Sequence, residues 1–155
     1  MGKSAGKSLL RVSLAIGLAA SIGACRNDDA VLGVTTPLPP GATLRLSRDV
    51  QPIFNRSCAL SGCHAGTFPA EGMSLEAARI FDPMGGAVDV PSLEAPFLKR
   101  IDPSSSATSY LVAKLEGNQA IVGGSGSTMP LGAPPLFPVE IQVIRDWIDQ
   151  GAQDN

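Results

Sequence analysis

Histidine, cysteine and aromatic residues are all scarce in this chain of 155 residues. It contains one histidine, three cysteines, one tryptophan, one tyrosine and five phenylalanines. A single histidine excludes any site built from two imidazoles, and so few large side chains predict a thin core. Glycine and proline are common instead, with 17 and 13 residues, and they predict long irregular loops. We therefore expect the interior to need some other bulky apolar material.

Positive charge is also limited. Three of the 12 Lys and Arg residues, and none of the 14 Asp and Glu residues, lie before residue 25. The rest of the chain is acidic, which argues against nucleic acid as a partner, because nucleic-acid binding needs a basic surface. The hydrophobic content of 44% with ordinary total charge is typical of one globular domain.

Residues 1–24 have the pattern of a signal peptide. A basic segment is followed by an apolar run over residues 12–22 and by small residues before Cys25. The run of about 11 residues is too short for a bilayer, which needs about 20. Residues 22–25, Ile-Gly-Ala-Cys, resemble the lipobox of bacterial lipoproteins, which implies export, cleavage and lipidation of Cys25. An ordinary secretory signal with a chance cysteine is the alternative.

The remaining chain divides into a tether and a folded domain. Residues 25–43 contain three prolines and no helical or strand period, so they are predicted to form the lipidated N-terminus and a flexible tether. Residues 44–155 are predicted to form one domain. Nothing in that domain alternates like a strand for long, so we predict a small all-α fold with long Gly/Pro-rich loops.

Three helices are predicted in the domain. The first has Asp49 as its N-cap and leads to Cys58. The second is capped by Ser106 and ended by Gly117, and the third runs from Pro138 to Gly151. The apolar positions expected to face the core are Val50, Ile53 and Phe54 in the first helix, Leu111, Val112 and Leu115 in the second, and Ile141, Ile144, Trp147 and Ile148 in the third.

The segment "CALSGCH" holds two of the three cysteines and the only histidine. Covalent attachment of a c-type haem needs two thiols and a histidine beside the second thiol, which Cys58, Cys63 and His64 supply. The usual spacer has two residues, whereas this one has four. On a regular helix the side chains of Cys58 and Cys63 would diverge by about 140°. Residues 59–62 must therefore leave the helix, which Gly62 makes easy.

A haem iron bound by His64 needs a second ligand, and with no other histidine the best candidate is a methionine. We favour Met129, which lies in a Gly-rich loop and is followed by Pro130. Met73 and Met84 are interpreted as core residues. Lys99, Arg100 and Tyr110 are candidate contacts for haem propionates, although solvated surface or ordinary packing is the favoured interpretation of each.

Other interpretations of the motif remain open. A Cys58–Cys63 disulfide in an exported structural or binding lipoprotein would leave His64 unexplained. Zinc or copper would find only two thiols and one imidazole once Cys25 is lipidated. Nucleophilic or thiol-redox catalysis would lack a group to orient the histidine. A haem enzyme or sensor would need an open position on the iron, and hence Met129 as a non-ligand.

The order of these elements resembles the monohaem c-type cytochromes, the class I-like cytochrome c family of exported bacterial proteins. The similarity covers residues 48–152 and includes "DVQPIF", "CALSGCH", "SYLVAKLEG", "MPLGAPPL" and "EIQVIRDWIDQGA". It implies one haem c per chain, thioethers at Cys58 and Cys63, and iron ligation by His64 and Met129. The longer spacer, and Phe137 where related helices often have a serine, depart from the family pattern.

The resemblance implies an electron carrier and not an enzyme. The domain is expected to wrap around the haem, with its first helix crossing its last, and the apoprotein is expected to lack native tertiary structure. Its partners would be a redox donor and acceptor and the membrane that holds the lipid, with no small-molecule substrate. We expect the protein to face the periplasm, anchored in the bacterial cell envelope. Arg26, where many inner-membrane lipoproteins have aspartate, favours the outer membrane.

Overall fold

The structure, a computed structural model, describes residues 1–2, 39 and 41–155. Residues 3–24 of the predicted signal peptide, the lipidation of Cys25 and most of the predicted tether lie outside this range. Within it, no helix is long and apolar enough to cross a membrane.

Helices are the regular elements of the described chain. The α-helices are α1 (Gln51–Ser57), α2 (Tyr110–Glu116) and α3 (Pro138–Asp149). Shorter helical turns occupy Leu46–Val50, Ala70–Gly72 and Ser106–Thr108. The described residues form no strand and only isolated β-bridges, so the helical, strand-free class predicted from the sequence is confirmed there.

The first helical segment begins earlier than predicted. A π-helical turn over Leu46–Val50 runs directly into α1, so Asp49 lies inside the helical segment and is not its N-cap. The Asp49 carboxylate instead accepts a hydrogen bond from the Arg45 N–H at 2.8 Å. Asn155 explains why the helical segment begins at Leu46, because its side chain accepts a hydrogen bond from the Leu46 N–H at 2.9 Å. That bond satisfies a first-turn donor without a local cap.

The second helix begins later than predicted. Ser106 starts a single 3₁₀ turn, and α2 begins only at Tyr110. The N–H and hydroxyl of Ser106 both donate to the Asp149 carboxylate, at 2.7 and 2.9 Å, so this serine joins its turn to the end of α3. The predicted end is confirmed, since Gly117 has a φ of 74° at the C-cap.

The third helix matches its prediction closely. Ile144, Trp147 and Ile148 are buried, and Ile141 is half-buried against the same core. Phe137 serves as the N-cap position without a polar side chain. Glu140 compensates for this, because its carboxylate accepts the Phe137 N–H at 3.0 Å.

The helices share one hydrophobic core. Phe54 and Trp147 are both fully buried in it. The first helical segment meets α3 mainly through its π-helical turn, Leu46–Val50, and not through α1 itself as predicted. Arg56 of α1 reaches α3 through an ion pair with Glu140. Residues 58–64 follow α1 directly, so this packing fixes the position of the CALSGCH segment.

Candidate functional site

The CALSGCH segment folds back on itself immediately after α1. The helix ends at Ser57, so the four spacer residues lie outside it, as the spacing requires. The carbonyl oxygen of Cys58 accepts a hydrogen bond from the His64 N–H at 3.1 Å, which joins the two ends of the segment. Gly62 has a φ of 83°, a left-handed conformation that a residue with a side chain adopts only with strain.

A cavity of about 400 Å³ opens beside this segment. Its volume is in the range of small-molecule and cofactor sites. All four residues predicted to hold a cofactor contribute to its wall: Cys58, Cys63, His64 and Met129. Most of the remaining wall is apolar and includes Leu60, Met73, Leu75, Leu93, Leu111, Leu115, Pro130 and Leu131.

His64 is oriented by a backbone carbonyl. Its Nδ1 atom lies 3.1 Å from the carbonyl oxygen of Met73. A carbonyl oxygen only accepts, so Nδ1 carries the proton and Nε2 keeps its lone pair for a metal. Burial lowers the pKa of His64 below its usual range, against the smaller opposing effect of the Met73 and Ala70 carbonyls. The imidazole is therefore neutral at neutral pH, the form that ligates metals.

The two thiols have different surroundings. Cys58 is buried, Cys63 is exposed, and both are free. Burial, reinforced by the neighbouring Cys63, raises the pKa of the Cys58 thiol to about 12. A thiol with this pKa stays protonated at neutral pH, which argues against Cys58 as a catalytic nucleophile.

Met129 reaches the cavity from a different part of the chain. Its N–H donates to the carbonyl oxygen of Lys114 in α2 at 2.9 Å, and its side chain packs against the main core. Met73 also lines the cavity and packs on that core, as the core interpretation requires. Met84 is 88% exposed, so its interpretation as a core residue is wrong. Its N–H bonds the Asp82 side chain in a surface turn, which directs the residue outward.

The three candidate propionate contacts separate into two groups. Lys99 pairs with Asp89 at 2.7 Å on the surface and does not line the cavity. Arg100 and Tyr110 are buried and line it. The Arg100 guanidinium donates to the carbonyl oxygens of residues 71, 72 and 86 and pairs with no carboxylate among the described residues.

Two further cavity residues were not predicted from the sequence. Glu94 and Lys114 line the wall and form an ion pair at 2.7 Å. They are 20 positions apart, and no periodic pattern connects them. The one sequence feature that could have indicated such a cluster is the Gly-rich loop at residues 123–126, because glycines let the backbone approach other groups closely.

The donor set suits an iron porphyrin. Two thiols lie on one short segment, a neutral imidazole follows them, and a thioether lies on a separate loop of the same apolar cavity. The buried guanidinium supplies positive charge for an acidic substituent. Among the described residues no three His, Cys, Asp or Glu side chains cluster as metal ligands. No family model, curated protein or solved structure matches the chain.

Proposed function

We propose that the chain holds one covalently attached haem c and transfers single electrons. The observation that carries this proposal is the shared cavity wall formed by Cys58, Cys63, His64 and Met129. Met129 is far from the other three in sequence, so the CALSGCH motif alone does not account for its presence there.

Each of these residues has a separate role in the proposal. Cys58 and Cys63 would attach the haem through thioether bonds, and His64 would ligate iron through Nε2. The hydrogen bond from Nδ1 to the Met73 carbonyl holds the imidazole ring in one orientation and raises its basicity as a ligand. Met129 would offer its sulfur from the second loop, held by the backbone bond to Lys114.

The bound haem would supply an iron centre that accepts and releases one electron. The chain tunes that centre through its own groups. Methionine as second ligand would favour a higher potential than a second histidine, and the apolar wall would limit contact between water and the centre. If His64 and Met129 both ligate the iron, no ligand position would remain for a substrate, so we propose a carrier and not an enzyme.

The N-terminal sequence suggests where the carrier would work. Lipidation at Cys25 would anchor the domain in the bacterial cell envelope, facing the periplasm, with the outer membrane favoured. A tether over residues 25–43 would let the domain move between a redox donor and an acceptor at that membrane, so that shared location raises their effective concentration.

The test is a visible spectrum of the protein exported with haem-maturation machinery. We expect sharp bands in the reduced protein that survive denaturation, because the thioethers keep the haem attached. The oxidised protein should show the weak far-red band of a methionine–iron bond. Met129→Ala should lose this band, and Met84→Ala, which alters an exposed methionine outside the cavity, should keep it.

The same preparation distinguishes the alternatives. A colourless product would contradict the proposal and favour a lipoprotein with a Cys58–Cys63 disulfide. Such a protein would yield two alkylatable thiols in the 58–63 peptide only after reduction, whereas the haem form would yield none. A coloured protein whose spectrum is unchanged by Met129→Ala would favour an open iron position, and hence an enzyme or sensor.

A further inference from the structure

We propose that Glu94, Tyr110 and Lys114 form a clamp that positions Met129 and so keeps the site in its electron-carrying form. The inference rests on the proposed function. It assigns a positioning role to three side chains that none of the thiol or imidazole chemistry requires. We refer to them together as the Ser125 clamp, because all three converge near that residue.

The clamp is a network of short polar contacts on the cavity wall. The Tyr110 hydroxyl lies 2.9 Å from the Ser125 carbonyl oxygen and 3.1 Å from a Glu94 carboxylate oxygen, and it accepts the Ser125 N–H at 3.1 Å. The Lys114 ammonium donates to the same carboxylate oxygen at 2.7 Å and to the Ser125 carbonyl at 3.2 Å. Three chain segments are thus joined at one point.

Lys114 contacts both ends of the segment that leads to Met129. Its side chain bonds the carbonyl of Ser125, and its own carbonyl accepts the Met129 N–H at 2.9 Å. The lysine side chain is only 8% exposed. A buried ammonium is costly unless it is paired. The contacts of Lys114 with Glu94 and with the Ser125 carbonyl therefore compensate for its burial, and breaking them would be unfavourable.

At Gly124 and Gly126 the loop backbone lies too close to the clamp for a side chain to fit. A Cβ atom at Gly124 would lie 2.3 Å from the Tyr110 ring, and one at Gly126 would lie 2.1 Å from the Glu94 carboxylate. These glycines therefore permit the contact that holds the loop down. Gly124 has no left-handed φ, so a substitution there tests the contact without adding backbone strain.

The geometry points to a functional consequence beyond stability. Met129 follows the clamped residues in the same loop, so release of the loop would draw its sulfur away from the proposed iron and would free a ligand position there. The clamp thereby selects a closed electron carrier over a form that binds small ligands.

The test compares Glu94→Gln, Tyr110→Phe and Gly124→Ala with the unaltered protein, all loaded with haem. The readouts are the far-red methionine band of the oxidised form and carbon monoxide binding by the reduced form. We expect all three to weaken the band and to favour release of Met129. For Glu94→Gln and Tyr110→Phe the equilibrium constant for release should rise about tenfold to a hundredfold, the range for loss of a hydrogen bond to a charged group. Asp89→Asn, which alters a surface pair, should change neither.

A double-variant cycle separates positioning from general loosening. Met129→Ala should bind carbon monoxide fully, and adding Tyr110→Phe to it should change binding no further, because both act through the same ligand. An additive effect would overturn the proposal. Haem-loaded clamp variants that bind no more carbon monoxide than Asp89→Asn would also overturn it, while leaving the proposed function intact. Colourless unaltered protein would overturn both.

Discussion

The Nδ1 atom of His64 and the carbonyl oxygen of Met73 are 3.1 Å apart. This contact fixes the tautomer of the only histidine in the chain and ties the CALSGCH segment to the next segment of the cavity wall. The His64 carbonyl strengthens the same connection by accepting the Leu75 N–H at 2.9 Å. Backbone groups of Met73 and Leu75 thus hold His64 in place without any contribution from a ligand.

We predict that the His64 proton resides on Nδ1 in the folded, reduced holoprotein. The measurement is nuclear magnetic resonance with ¹⁵N-labelled histidine, which gives the signals of one residue because the chain has no other histidine. The Nδ1 proton should exchange slowly with solvent, since the residue is only 8% exposed. A proton on Nε2 would contradict the assignment of that atom as the iron ligand. Denatured protein serves as the control and should show rapid exchange.

We predict that Arg100→Met lowers the free energy of unfolding of the holoprotein by about 3 kcal/mol, because three carbonyl oxygens lose a charged donor. Chemical denaturation monitored by circular dichroism measures the change. Lys99→Met is the matched control, because Lys99 precedes Arg100 in the chain and forms only surface ion pairs, which contribute little to stability. Equal losses in the two variants would show that the buried guanidinium has no special structural role.

We predict that Arg56→Met destabilises the protein by about 2 kcal/mol, because it leaves the buried Glu140 carboxylate without its cation. The value is below the range for fully buried pairs, since the Arg56 side chain is half exposed. Adding Glu140→Gln should recover part of the loss, as the amide can still accept the Phe137 N–H. Denaturant unfolding of the single and double variants tests this. If Glu140→Gln adds a full independent loss instead, the pair is not coupled.

The sequence allowed α3 and the grouping of Cys58, Cys63 and His64 at one site to be predicted, because both depend on local patterns. Pro138, Glu140 and the apolar stripe lie within one helix, and Cys58 and His64 lie within one short motif. Met129 was predicted from chemistry, by elimination of other ligands, and its loop does border the cavity.

The remaining features depend on contacts between distant residues, which leave no period in the sequence. The start of the π-helical turn before α1 is set by a bond from Leu46 to Asn155, and the 3₁₀ turn before α2 is held by the bonds of Ser106 to Asp149. Residues 74–105 form turns held largely by backbone bonds such as Ile101 N–H to the Ala87 carbonyl. The Ser125 clamp similarly joins three segments, so only the folded chain brings it together.

We predict that the protein without haem lacks a stable tertiary structure. The wall of the cavity of about 400 Å³ is mostly apolar, and a haem there would cover side chains that otherwise face water. A typical domain is stable by only about 5–15 kcal/mol, so losing this apolar burial would remove a large part of its stability. The chain has few large side chains with which to collapse into the space, since only seven of its residues are aromatic.

The measurement is calorimetry, together with the near-ultraviolet circular dichroism of Trp147, on a Cys58→Ala/Cys63→Ala variant made without haem. Trp147 is the only tryptophan and lies 1% exposed in the core, so its signal reports native packing. We expect no cooperative transition and no near-ultraviolet signal. The unaltered chain produced without haem maturation is the control for the substitutions. It keeps both thiols but carries no haem, so it should also show no cooperative transition and no near-ultraviolet signal. A cooperative transition in both would show that the helices pack stably around an unfilled cavity and that the haem is not part of the core.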